Sequence, residues 1–233
     1  MVFSIREKSF RRGMGVRGWG LDEDEPYPPT PNPHPPFMLS TLIELQRLKG
    51  LERTGWMLRG IAPGAESVAD HSYGVVVAAM LLADELVARG VAVNVERVLR
   101  IAVLHDWAEA RVGDMPRTAT HYFGSESRKR AERAAFDDMV GGLKAGGVSG
   151  EYSALHEDYE ERASLEARLV KAADVIDLLV QTLAFERAGV RGLDEFWDVT
   201  AERNLGLDGV AGEIVEETLQ QLVEERKRVK SGG

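Results

Sequence analysis

The chain predicts an all-α fold, and three observations carry that expectation. From about residue 37 onward, apolar side chains recur at helical spacing rather than in strict alternation. Cap and stop residues bracket the resulting segments. No convincing strand pattern and no internal repeat interrupts them.

The elements follow in order. Seven of the nine prolines fall between Pro26 and Pro36, so residues 1–36 read as an extended, mobile arm before a domain of residues 37–230. Met38 to Lys49 carries a leucine and isoleucine stripe and is stopped by Gly50. Ser67 to Arg89 forms a second helix whose GVVVAAMLLA segment is apolar on every side, the mark of a central buried helix. Asn94 caps a third helix running to about Arg111. A loop over Gly113 to Gly124, broken by Pro116, leads to a fourth helix over Ser127 to Leu143. After a turn at Gly146 to Gly150, Glu151 to Ala188 reads as one long helix or two abutting ones. Two more follow, Leu193 to Asn204 and Asp208 to Lys230.

Composition narrows the function. The longest apolar run, Gly74 to Ala83, has ten residues, short of the roughly 18 to 20 that a membrane span needs, so no membrane role is expected. The basic start of the chain lacks a continuous apolar segment, and a cytoplasmic protein is the expectation. No cysteine is present, which leaves His, Asp and Glu as candidate metal ligands. A net charge of −9 argues against a nucleic-acid polymer as partner. An anionic substrate would need a local reversal of field.

The residues that carry chemistry interrupt apolar helices. Val98, Ile101, Ala102, His105, Asp106 and Glu109 share one helix face, so a face that points into the core also delivers an imidazole and two carboxylates. Unpaired buried charge is costly unless a partner or a metal compensates it. His71, in ESVADHS, opens the buried second helix, and Asp174 sits in the apolar LVKAADVIDLLV. Imidazole with carboxylate suits a divalent cation such as Mn, Fe, Co, Ni or Zn. Arg59 and Lys171 could add positive potential, although Lys171 could simply pair with Asp174. His34, His121 and His156 lie outside the pattern and read as surface residues.

The order H…HD…D, with RTGWMLRG (53–60), ESVADHS (66–72), LHDWAEARVGDMP (104–116), Tyr122-Phe123 and EARLVKAAD (166–174), resembles the HD superfamily of metal-dependent phosphohydrolases. Within it, the chain is most similar to HD-domain 5′-deoxynucleotidases, from about Leu39 to about Glu186. The resemblance implies an HD-domain helical bundle around a divalent metal (Mn, Co, Fe, Ni, Zn or Mg) held by His71, His105, Asp106 and Asp174. It implies a phosphate contact at Arg53 and further acidic site residues at Glu109 and Asp114. The family's tryptophan beside the deoxyribose falls nearest to Trp56, with two residues between it and Arg53. The implied reaction is hydrolysis of nucleoside monophosphates to nucleoside and phosphate, by a homodimer. HDxxE also resembles alarmone hydrolases, but those carry a second acidic residue where Ala110 stands. A non-catalytic nucleotide sensor is the remaining alternative.

Overall fold

A computed structural model describes residues 37–143, 147–202 and 204–231. The expected arm and His34 lie outside them. Among the described residues there is no strand, only an isolated bridge between Glu52 and Ser67. The helices are α1 (Phe37–Leu45), α2 (Thr54–Met57), α3 (Val68–Ala88), α4 (Val95–Leu104), α5 (Glu109–Val112), α6 (Arg117–Phe123), α7 (Ser125–Val140), α8 (Val148–Glu161), α9 (Leu165–Arg187), α10 (Asp194–Glu202) and α11 (Gly209–Ser231). A 3-10 turn, Gln46–Lys49, extends α1.

The centre is α3, which packs against α9 and α4, while α9 also meets α4, α8, α10 and α11. By length and apolarity α3 could cross a membrane. In the bundle one face is buried, with Val68, Val75, Ala79 and Ala83 fully covered, while Tyr73, Met80, Leu81 and Val87 are exposed, so α3 is not buried on every side as expected. Ser67 caps it as half of a capping box: its hydroxyl accepts from the Asp70 amide at 3.1 Å, and the Asp70 carboxylate accepts from the Ser67 amide at 2.9 Å. The cap expected at Asn94 is present, its side chain accepting from the Arg97 amide at 3.0 Å.

Three expectations change, and one open alternative is decided. The third helix does not run to Arg111. The i→i−4 ladder gives way after Leu104 to tighter bonds, Trp107 N–H to Leu104 O and Glu109 N–H to Asp106 O, both 3.1 Å. The expected loop at Gly113 to Gly124 contains α6, because Pro116 can precede a helix that needs no amide from it. The expected turn at Gly146 to Gly150 is shorter, since α8 already begins at Val148. Between Glu151 and Ala188 there are two helices. Arg162 adopts a left-handed conformation (φ 53°) that ends α8, and Ser164 caps α9 by accepting from the Ala167 amide. The apolar stripe of α1 is only partly covered: Met38, Leu39, Leu42 and Ile43 are exposed.

Candidate metal centre

Three elements bring the expected ligands together. His71 lies one turn into α3 and is buried. His105 terminates α4, Asp106 follows it in the tight turn, and Asp174 projects from the middle of α9. The His71 Nε2 is 3.2 Å from Asp174 Oδ1 and 3.7 Å from Asp106 Oδ2. The His105 Nε2 is 3.1 Å from the same Asp106 oxygen. Ligand atoms of His71, His105 and Asp106 lie within 4.8 Å of one another.

The tautomers follow from the other ring nitrogens. His71 Nδ1 meets Asp177 Oδ2 at 2.7 Å, and His105 Nδ1 meets the Ala102 carbonyl at 2.8 Å. Both partners only accept, so each Nδ1 carries a proton and donates, and each Nε2 faces carboxylates, where its lone pair can take a metal or, without one, a second proton. Lone pairs facing anions repel unless a cation stands between them. His105 Nε2, Asp106 Oδ2 and Glu109 Oε2 are buried without any hydrogen-bond partner. This donor set fits a divalent metal, with both imidazoles oriented by groups behind them.

The electrostatics show the same demand for positive charge. Burial works against the His71 cation, yet hydrogen bonds to Asp174 and Asp177 push its pKa up to about 9. Burial would raise Asp106 and Asp174 as well. The charge of His105 holds Asp106 below the usual carboxylate range, and that of Lys171 does the same for Asp174. Glu109 goes the other way, pushed well above the usual range by burial and by the charges of Asp106 and Asp114.

These groups line a cavity of about 780 Å³. Arg53 reaches it from the turn before α2, held by an ion pair to Asp114 at 2.8 Å. Burial opposes the Arg53 charge, but Asp114, Asp106, Glu109 and Asp174 keep its pKa above the ordinary arginine value. Asp114 also accepts from the Thr54 amide at 2.5 Å, and its carbonyl accepts from the Thr54 hydroxyl at 2.8 Å. Both carboxylate oxygens of Asp114 are therefore engaged, and at the cavity wall it holds Arg53 and the start of α2. Trp56 departs from the expectation. Only 2% exposed, it donates to Glu66 and packs against Phe185 and Phe196, so its ring offers a sugar no face. Arg59 pairs with Glu195, and Lys171 pairs with Asp174 at 2.6 Å. His121 is exposed as expected. His156 is not: it is buried, with its ring stacked 4.1 Å from that of Phe136, because α8 turns this face inward.

Three residues emerge that the sequence reading missed. Asp177 orients His71, and only because residue 74 is glycine: a Cβ there would stand 1.9 Å from Asp177 Oδ1. Its signal was the Asp174-x-x-Asp177 spacing inside an apolar helix. Tyr159 donates to Asp174 Oδ2 at 3.0 Å and sets its ring edge-on to His105. Glu132, buried in the cavity wall and paired with Arg128 at 2.9 Å, has its pKa pushed up to about 7 by burial.

Comparison with known proteins agrees with this geometry. A family model described as HD domain matches residues 45–204. The 5′-deoxynucleotidase HDDC2 of Danio rerio is 34% identical, over 84% of this chain and 92% of that one. The human HDDC2 is 32% identical over 70% and 76%. Among solved structures, a conserved hypothetical protein from Pyrococcus furiosus superposes with a TM-score of 0.66 at 36% identity, covering 82% of this chain and 99% of that one. A predicted metal-dependent phosphohydrolase from Magnetospirillum magnetotacticum gives 0.57 at 25% identity, over 83% and 93%. Sequence, fold and site geometry converge, and the chain belongs to the HD-domain family.

Proposed function

We propose that the protein is a metal-dependent phosphohydrolase that cleaves deoxyribonucleoside 5′-monophosphates to nucleoside and phosphate. The observation that carries this reading is the pair of inward-facing histidine lone pairs set against Asp106 and Asp174, beside a carboxylate-held arginine. The 5′-deoxynucleotidase relatives, one of them aligned over 84% of the chain, supply the substrate class.

His71, His105, Asp106 and Asp174 would hold the metal, whose contribution when bound is Lewis-acid polarisation of the phosphoryl group. The protein does the rest. Arg53 offers its fork to two phosphate oxygens and gains strength as charge builds on them. Asp114 keeps the fork aimed into the cavity. Glu109, with an unpartnered buried oxygen, takes a proton from the attacking water and returns one to the leaving 5′ oxygen. Water adds to phosphorus, the P–O5′ bond breaks, and the proton moved by Glu109 leaves on the nucleoside hydroxyl.

The test is phosphate release from a panel of deoxy- and ribonucleoside monophosphates, on chelated protein resupplied with Mn²⁺, Co²⁺, Ni²⁺, Zn²⁺, Fe²⁺ or Mg²⁺ in turn. Release from the deoxynucleotides that returns only with a metal is expected. No release with any metal would sink the reading, as would undiminished release after chelation.

A further inference from the structure

A second cavity of about 430 Å³ adjoins the metal cavity, and the two share Arg53, Asp114, Met115 and Leu178. The walls differ in chemistry. The first is dominated by charged groups such as Asp106, Glu109, Arg128, Glu132 and Lys171. The second is walled by the ring of Phe196 and by Val199, Leu178, Met115 and Leu58, with the Arg59–Glu195 ion pair at its edge.

Resting on the reading above, we propose that this second cavity is the nucleoside pocket, with the base lying on Phe196 and Arg53 holding the phosphate at the junction of the two cavities. A nucleoside monophosphate has one strongly anionic end and one flat, weakly polar end. Arg53, common to both cavities, is where a molecule of that polarity changes surroundings. The volume falls in the range of about 300–1,000 Å³ typical of small-molecule sites, and an aromatic wall with a few polar groups at its rim is their usual character. Arg59 and Glu195 put donors and an acceptor at that rim, where a base presents its edge.

The buried tryptophan gains a role from this. The rings of Trp56 and Phe196 lie 4.4 Å apart, and Phe196 passes over Gly55, its Cε1 at van der Waals distance (3.4 Å) from where a Cβ would stand. Trp56, at the wall of the same cavity but only 2% exposed, thus chiefly backs the stacking ring. Phe196 and Trp56 come from α10 and α2, so the pocket closes only when the last third of the fold has docked on the RTGW segment.

The test uses the metal-loaded full chain and two variants. Thr118→Trp places bulk in the cavity from an exposed rim position, and Phe196→Leu removes the stacking ring while keeping an apolar group against Trp56. In each, the KM for a deoxynucleoside monophosphate should rise about tenfold or more, the scale of one lost stacking contact. The inhibition constant of inorganic phosphate, which needs only the metal cavity and Arg53, should stay within about twofold of wild type. Binding of unphosphorylated thymidine and deoxyadenosine, followed by ligand-observed NMR, should weaken in parallel. Unchanged KM and unchanged nucleoside binding in both variants would overturn the assignment and place the nucleoside in the first cavity, toward Arg128. If wild type hydrolyses no nucleotide, the parent reading fails alone; the pocket is then decided by nucleoside binding, supported by its loss in Thr118→Trp and overturned by its persistence.

Discussion

At the scale of single residues, the behaviour of His71 is set by a group that does not face the cavity. Asp177 accepts the Nδ1 proton at 2.7 Å and so fixes which nitrogen is free to bind. Asp177→Asn keeps an acceptor but removes the charge, and should weaken metal affinity about 10-fold or more, on the scale known for partners of metal-bound histidines. Gly74→Ala should do the same by driving Asp177 out of place. Titration calorimetry on chelated protein reads both, and wild-type affinity in Asp177→Asn would show that the tautomer is set elsewhere. Groups that act on substrate should separate from these. Glu109→Gln is expected to lower turnover about 10²-fold or more with metal affinity intact. Arg53→Ala should cost about 2 to 4 kcal/mol in kcat/KM, again without loss of metal. Metal loss in either variant would move that residue into the ligand set. His71, His105, Asp106 and Asp174 were legible in the sequence because each is a polar interruption of an apolar helix, and the structure brings all four together. Tyr159 was not, since its function lies in which side chain it touches, and Trp56, named from the resemblance as the nearest tryptophan, shows that nearness in sequence does not say which way a ring faces.

At the scale of elements, α8 has a buried face that its charged sequence conceals. His156 lies on that face against Phe136, and burial holds its pKa down, to about 4 from 6.5. A histidine depressed in the folded state must be charged against its surroundings as pH falls, so its neutral form stabilises the fold above about pH 6.5 and that contribution is lost between 6.5 and 4. The loss amounts to about 3 kcal/mol for a shift of this size. His156→Phe retains a ring on Phe136 and removes the titration. Relative to wild type it should gain stability progressively as pH is lowered through this window, read by urea unfolding at pH 7, 6, 5 and 4. A difference that stays constant with pH would mean that His156 does not titrate in the fold. Elements with long apolar periodicity, α3, α11 and the C-terminal end of α9, were readable from sequence to within a few residues, as was the start of α4 but not its end at His105. The short helices α2 and α6 were not, because four and seven residues are too few to show a period. The break between α8 and α9 rests on one left-handed arginine and a serine cap. Asp158 reinforces that cap by accepting from the Ser164 amide and hydroxyl, and sequence alone left that junction open.

At the scale of the whole molecule, the candidate metal centre is also a joint in the bundle. The residues proposed to hold the ion come from α3, the end of α4 and α9, the three helices that pack most closely on one another. A chain with a net charge of −9 gathers Asp106, Asp174, Asp177 and Glu109 around two histidines at that joint, so the cost of their mutual repulsion falls on the core itself. A divalent cation that binds this arrangement and not the unfolded chain should stabilise the fold by mass action, by about 2.7 kcal/mol when free metal is 100-fold above its Kd. For a domain of this size that corresponds to a rise in Tm of roughly 5 to 10 °C. Calorimetric scans of chelated protein, with and without added Mn²⁺ or Co²⁺, should show it. The rise should be absent from Asp174→Ala, which removes a ligand from α9, and present in Arg53→Ala, which removes none. A Tm that ignores both chelation and metal would mean that these four side chains do not hold the ion, and that Lys171 and Arg53 alone offset their charge.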